Sequence, residues 1–149
     1  MKFVARVLST MFGIGYLPFA PGTWGSIAAF LLWYSSPLPE NQMVFLGLTV
    51  LVSIVGIWAS QEFEKSSGEK DPSVVIIDEW AGQWIALLFV ERSLLYGGIA
   101  LILFRIFDII KPGPVKWADN KGGGIGIMGD DIIAGLISLV ILQMVKIWL

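Results

Sequence analysis

VVIIDEWAGQWIALL, residues 74–88, decides the fold class and points to the chemistry at once. Asp71 and Pro72 stand just before it and read as a helix opening, Asp as N-cap and Pro at the first helical position. That opening puts Asp78 and Glu79 about two turns inside an otherwise apolar helix. A carboxylate near membrane depth costs roughly 2–3 kcal/mol on insertion scales, and two adjacent ones cost more. Gly82, one turn after Asp78, leaves that face open to close approach by another helix. The plain alternative is that both acids sit at an interface and pair with nearby lysines. A short apolar helix has little reason to commit two carboxylates to solubility, so the pair reads as functional.

The rest of the chain has the same character. Of 149 residues, 56% are hydrophobic and 15% charged, against roughly 25% charged in an average soluble domain. Mean hydropathy is +0.77. Apolar segments cover residues 24–37, 43–60, 74–90, 94–110 and 132–149, several of them short of the ~20 residues that span a bilayer. We expect a single domain over 1–149: an all-α, polytopic membrane helical bundle of about four to five apolar helices. The N-terminal apolar stretch after Lys2 and Arg6 is broken by Gly13, Gly15, Pro18 and Pro21, which argues for its retention rather than cleavage. A soluble helical bundle is the structural alternative.

Loop charges orient the bundle. Lys2 and Arg6, then Lys65 and Lys70, then Lys111, Lys116 and Lys121 fall on one side if the N-terminus is cytoplasmic. The other connections carry only Glu40, or Glu91 with Arg92. Under that arrangement the starts of the first, third and fifth segments and the end of the fourth share the cytoplasmic face. The unusual residues occur at those four places.

Composition narrows the chemistry. The chain has no cysteine and no histidine, which removes thiol nucleophiles, Ser-His triads, phosphohistidine and His- or Cys-ligated metals. A net charge of −2 gives no reason to expect nucleic acid as a partner. Oxygen-only ligands suit hard cations, magnesium above all.

Three further stretches carry candidates. In FRIFDIIKPGP (104–114), Arg105 and Asp108 share a helical face, and Lys111 precedes the Pro112 stop; an intrahelical salt bridge with a snorkelling lysine is the plain reading. PVKWADNKGGGIGIMGDD (114–131) reads as a loop holding Lys116 and Asp119, leading to Asp130 and Asp131 at the mouth of the last segment. Acids there suit a cap and the helix dipole, although one would suffice. The glycines are not followed by GKS or GKT, so this is no nucleotide loop. In GIGYLPFAPGTWGS (13–26), Thr23 or Ser26 could cap the first membrane helix, whose free amides would offer an anion site.

Taken together, five carboxylates (Asp78, Glu79, Asp108, Asp130, Asp131) meet Arg105, Lys111 and Lys116. So many acids in one low-dielectric pocket cannot all stay ionised, and a divalent metal resolves the repulsion. Cations beside it suit phosphate oxygens, Arg105 through its planar fork. Metal plus arginine is how a site stabilises a phosphoryl-transfer transition state.

The blocks GIGYLPFAPGTWGS, VVIIDEWAGQW, FRIFDIIKPGPVKWAD and GGGIGIMGDDIIAG, in that order from Gly13 to Gly135, resemble the signature blocks of the phosphatidylglycerophosphatase A family. The resemblance implies a magnesium-dependent integral-membrane phosphatase that converts phosphatidylglycerol phosphate to phosphatidylglycerol, the last step of that lipid's synthesis, in the bacterial inner membrane. The family's motif positions fall on Asp78, Glu79, Arg105, Asp108, Lys111, Asp130 and Asp131. We expect Asp78, Glu79, Asp130 and Asp131 to hold one or two magnesium ions, with Asp108 as ligand or neighbour. Arg105 and Lys111 are expected to clamp the phosphate, helped by Lys116 and Thr23. Both a metal-activated water and a carboxylate nucleophile remain open.

Rival readings are a phosphatase for another lipid phosphate and a membrane cation-binding or transport protein, whose acids should lie near the bilayer midplane. A CDP-lipid transferase lacks its spaced aspartates and Ala-Arg pair here, and the histidine-dependent lipid phosphatases are excluded by composition.

Overall fold

The computed structural model describes residues 1–148, and every regular element among them is helical. The helices are α1 (Lys2–Ser9), α2 (Pro21–Ser35), α3 (Gln42–Ser67), α4 (Ile77–Ala86), α5 (Leu94–Ile110), α6 (Gly113–Asp119) and α7 (Gly123–Trp148). Their ends follow local chemistry. Pro21 opens α2, and the Asn41 side chain accepts a hydrogen bond from the Val44 amide to cap α3. Gly68, at φ 73°, closes α3 in the left-handed conformation. Lys111 adopts φ 49° and ends α5 just before Pro112.

α4 is the buried centre. Nine of its ten residues are buried, and α2, α3, α5 and α7 all pack against it. Trp84 anchors the packing: its Nε1 donates to the Ala29 carbonyl at 3.1 Å, and its ring meets Phe45 edge-on at 5.5 Å. Trp80, Phe104, Trp33 and Leu142 complete the same core.

Two helices, α3 and α7, each of 26 residues, are long and apolar enough to cross a membrane. That differs from the expected four to five. α2 and α5, with 15 and 17 residues, rise only about 22 and 26 Å at ~1.5 Å per residue, short of a ~30 Å hydrocarbon layer. The expected crossing at 74–90 is a ten-residue helix buried by protein.

Its opening also differs from expectation. Residues 68–76 form no helix, Asp71 takes φ 48°, and the Ile76 amide donates to the Ser9 carbonyl. Three consecutive β-branched residues, Val74 to Ile76, stand just ahead of α4 and disfavour an earlier helix start. Asp78 and Glu79 therefore stand in the first turn of α4 rather than two turns inside. The opposite correction applies to Asp130 and Asp131. The segment expected as a loop folds into α6 and the first two turns of α7, so these acids lie two turns inside a helix and not at its mouth. Gly124 has a physical reason: a Cβ there would lie 2.0 Å from the Ile57 carbonyl oxygen, so glycine lets α7 begin flush against α3.

Candidate active site

Four chain segments meet at one end of the bundle, around a cleft of about 260 Å³. α4 brings Asp78 and Glu79, α5 brings Arg105 and Asp108 with Lys111 just beyond it, and α7 brings Asp130 and Asp131. Residues 20–22 at the start of α2 and residues 71–73 before α4 form the rim. Because α4 and α7 enter from this end while α5 arrives at it, acids and bases separated by over 50 residues share one space.

The carboxylates fall into two overlapping groups. Asp78, Glu79 and Asp131 each present an oxygen within 4.8 Å of the others, and so do Asp108, Asp130 and Asp131. Asp131 belongs to both. It is 2% exposed, Asp130 5% and Asp78 9%. Asp78 Oδ1, Glu79 Oε2, Asp130 Oδ1 and Asp131 Oδ2 are buried with no hydrogen-bond donor. A buried polar atom without a partner costs roughly 1–3 kcal/mol, more when charged.

That arrangement is the test of magnesium at this site. Several unpartnered, buried carboxylate oxygens converge within ligand-sharing distance, in a chain with no histidine or cysteine to offer a softer metal. The residues fit a hard divalent cation.

The cations are held by the same acids. Arg105 Nη1 lies 2.6 Å from Asp108 Oδ2 and 3.5 Å from Ser26 Oγ, while its Nε is buried without a partner. Lys111 Nζ donates to Asp119 Oδ1 at 2.5 Å and Asp130 Oδ2 at 2.7 Å. Burial works against its charge, but these two hydrogen bonds outweigh it and hold the ammonium above the ordinary lysine range.

Gly22, in the first turn of α2, is pressed against this cluster. A Cβ there would lie 2.1 Å from Glu79 Oε1 and 3.3 Å from Arg105 Nη1. With no Cβ at Gly22, the Glu79 carboxylate keeps its place against the α2 terminus, with its free amides and positive dipole end.

Of the expected residues, Asp78, Glu79, Arg105, Asp108, Lys111, Asp130 and Asp131 line the cleft together. Lys116 does not: it is exposed on α6. Neither Thr23 nor Ser26 caps α2, whose N-cap is Ala20; Ser26 donates back to the Gly22 carbonyl at 2.9 Å. Thr23 lines an apolar groove next to the cleft, shared with Arg105. Sequence reasoning missed three participants. Asp119 holds Lys111, and its place in the run after Lys111 was a usable signal. Gly22 had one too, in the Pro-Gly opening of α2. Asp71, expected as a cap, instead forms part of the rim, and its left-handed backbone has no signature in the sequence.

An all-helical, apolar chain with a histidine-free carboxylate cleft flanked by arginine and lysine has the outline of a phosphoric monoester hydrolase. The family model described as Phosphatidylglycerophosphatase A matches residues 7–146, and the chain belongs to that family. A protein of Bacteroides thetaiotaomicron, provisionally named phosphatidylinositol-3-phosphatase, is 40% identical over 97% of this chain and 95% of its own length. The Phosphatidylglycerophosphatase A of Escherichia coli is 37% identical over 94% of this chain and 82% of its own. That of Haemophilus influenzae is 34% identical over 97% and 90%. No solved structure matches.

Proposed function

We propose that this protein is a magnesium-dependent lipid phosphatase that hydrolyses phosphatidylglycerol phosphate to phosphatidylglycerol and phosphate, completing the synthesis of that lipid. The observation that carries the reading is the meeting of unpartnered carboxylate oxygens with Arg105 and Lys111 in one cleft. Asp78, Glu79, Asp130 and Asp131 would hold magnesium, with Asp108 beside them. When bound, the ion supplies positive charge to the phosphoryl oxygens and acidifies the attacking water.

The chain's own residues do the remaining work. Arg105, fixed by Asp108 and Ser26, directs its unpartnered Nε–H and fork at the phosphate. The amides of the α2 terminus, at Gly22 beside Glu79, add donors and a dipole that favour an anion. Lys111 ties Asp119 and Asp130 together and so sets the floor of the cleft, in addition to offering positive charge to the phosphate.

The setting supports a lipid substrate. Tyr16, Phe19, Trp24 and Trp117 are exposed on segments next to the cleft, and aromatic side chains of this kind suit the membrane–water interface. With the lysine-bearing connections in the cytoplasm, the protein would be multi-pass in the bacterial inner membrane with its cleft facing inward.

The test is phosphate release from phosphatidylglycerol phosphate by detergent-purified protein, with magnesium or with EDTA, beside Asp78→Asn. Release that needs magnesium and is lost in the variant supports both reaction and site. The Bacteroides relative favours a second reading, an inositol-ring phosphate on a lipid; phosphatidylinositol 3-phosphate assayed in parallel separates the two. A cation carrier predicts release from neither.

A further inference from the structure

We infer that the groove between α2 and α5 seats an acyl chain of the lipid whose phosphate occupies the cleft, so that these helices read chain length as well as headgroup. This rests on the lipid-phosphatase reading above and adds to it the place where the hydrophobic part of the substrate lies.

The groove has a volume of about 420 Å³. Thr23 and Ile27 of α2 form one wall; Leu101, Ile102, Ile106 and Ile109 of α5 are among the residues of the other. Between Leu101 and Ile110 it follows α5 for about 14 Å, at ~1.5 Å of rise per residue. Ile102, Ile106, Ile109 and Ile110 are each at least 42% exposed, so its apolar walls lie open for an occupant.

Continuity with the cleft identifies that occupant. Arg105 lines both spaces, and its guanidinium group faces Asp108 and Ser26 at the boundary. Thr23 follows Gly22, whose backbone touches the Glu79 carboxylate. Arg105 stands midway along the α5 wall, so a molecule with its phosphate at Arg105 in the cleft has apolar wall on either side of that point to receive its hydrocarbon tail. A water-soluble phosphate monoester would leave the groove unused. A helical peptide would need to cross an arginine already paired with Asp108 and Ser26.

α2 has the composition this role requires. It carries no charged side chain between Pro21 and Ser35, and the Thr23 hydroxyl marks the polar end of the groove. Ile106 and Ile102, both on the groove wall and exposed, are where added bulk would narrow the groove.

The experiment compares dipalmitoyl with dihexanoyl phosphatidylglycerol phosphate in mixed micelles, using the full chain, Ile106→Trp, Ile102→Trp and a tryptophan at an exposed position on another helix, Ile54→Trp. The two groove variants should lower the dipalmitoyl-to-dihexanoyl ratio of kcat/KM about tenfold, the scale of a lost hydrophobic subsite, while Ile54→Trp keeps the parent ratio. A ratio unchanged in both groove variants, or lowered equally in Ile54→Trp, overturns the groove assignment. A dipalmitoyl lipid phosphate carrying a diazirine on its chain gives a readout independent of activity: it should label α2 and α5, and labelling confined to α3 or α7 overturns the assignment. No hydrolysis of either lipid by the parent protein instead rejects phosphatidylglycerol phosphate as the substrate. Groove labelling then tests the chain seat separately.

Discussion

A Cβ added to Gly135 of α7 would lie 2.4 Å from the carbonyl oxygen of Gly82 in α4, so the two helices cross backbone to backbone. Gly82 stands four residues after Asp78, and Gly135 four residues after Asp131, one helical turn in each case. The crossing thus lies one turn behind the acids and sets how near Asp78 and Asp131 come to one another.

Gly82→Ala should therefore act on the site through the backbone. Its Cβ would fall 2.7 Å from the Asp131 carbonyl oxygen and 2.4 Å from Phe104 Cε2. The helices must separate, at a cost of about 1–3 kcal/mol for overpacking. Thermal unfolding in detergent should show that loss. Phosphate release should fall further than the loss of folded protein accounts for, because the acid spacing changes too. Gly98→Ala, on α5 with open space around it, is the control and should change neither.

Much of this was legible in the sequence, and the failures have a common cause. The carboxylates, Arg105 and Lys111 stood out because ionisable groups are rare in so apolar a chain. α5 was placed to the residue, since Ser93 caps it and Pro112 stops it. The two acid pairs, however, sit at each other's expected depth. Asp71-Pro72 has the chemistry of a helix start but is used as a rim, with the residues after it kept out of the helix up to Ile76. The glycine run before Asp130 has the chemistry of a loop but is helical, because the close contact of Gly124 with α3 fits only bare backbone and outweighs glycine's poor propensity. Local signals gave the residue types and the ends of α5, and packing set where α4 and α7 begin.

Magnesium should stabilise the fold. With the ion at about 100 times its dissociation constant, binding to the folded state alone adds about 2.7 kcal/mol. The melting temperature should drop on EDTA treatment and recover with magnesium. In Asp131→Asn, the residue common to both carboxylate groups, that increment should vanish. The metal-free variant should melt no lower than the metal-free parent, since one of several repelling acids has been neutralised. A variant that keeps the full increment would remove Asp131 from the metal site.

Arg105→Lys keeps the charge but loses the fork. The guanidinium group here serves Asp108 and Ser26 on one side and leaves Nε for a ligand on the other; an ammonium group on a shorter reach cannot do both. We expect kcat/KM for the lipid phosphate to fall about 100-fold, with the magnesium-dependent rise in melting temperature retained. Loss of that rise would instead assign Arg105 to ordering the acids.

Lys111→Met tests the other cation, and the pH dependence carries the sign. Lys111 joins the end of α5 to Asp119 of α6 and Asp130 of α7, and hydrogen bonds to charged groups contribute roughly 1.5–3 kcal/mol when partly buried. Its pKa is raised in the folded state, so its contribution is complete below the unfolded lysine value of about 10.4 and fades only as pH climbs through the higher folded value. The parent should therefore keep its stability advantage over Lys111→Met undiminished from pH 7 to about pH 10, measured by denaturant unfolding in the presence of EDTA. An advantage that shrinks between pH 7 and 9 would mean that the ammonium group is not held by the two carboxylates, and that Asp119 and Asp130 are kept together by some other contact.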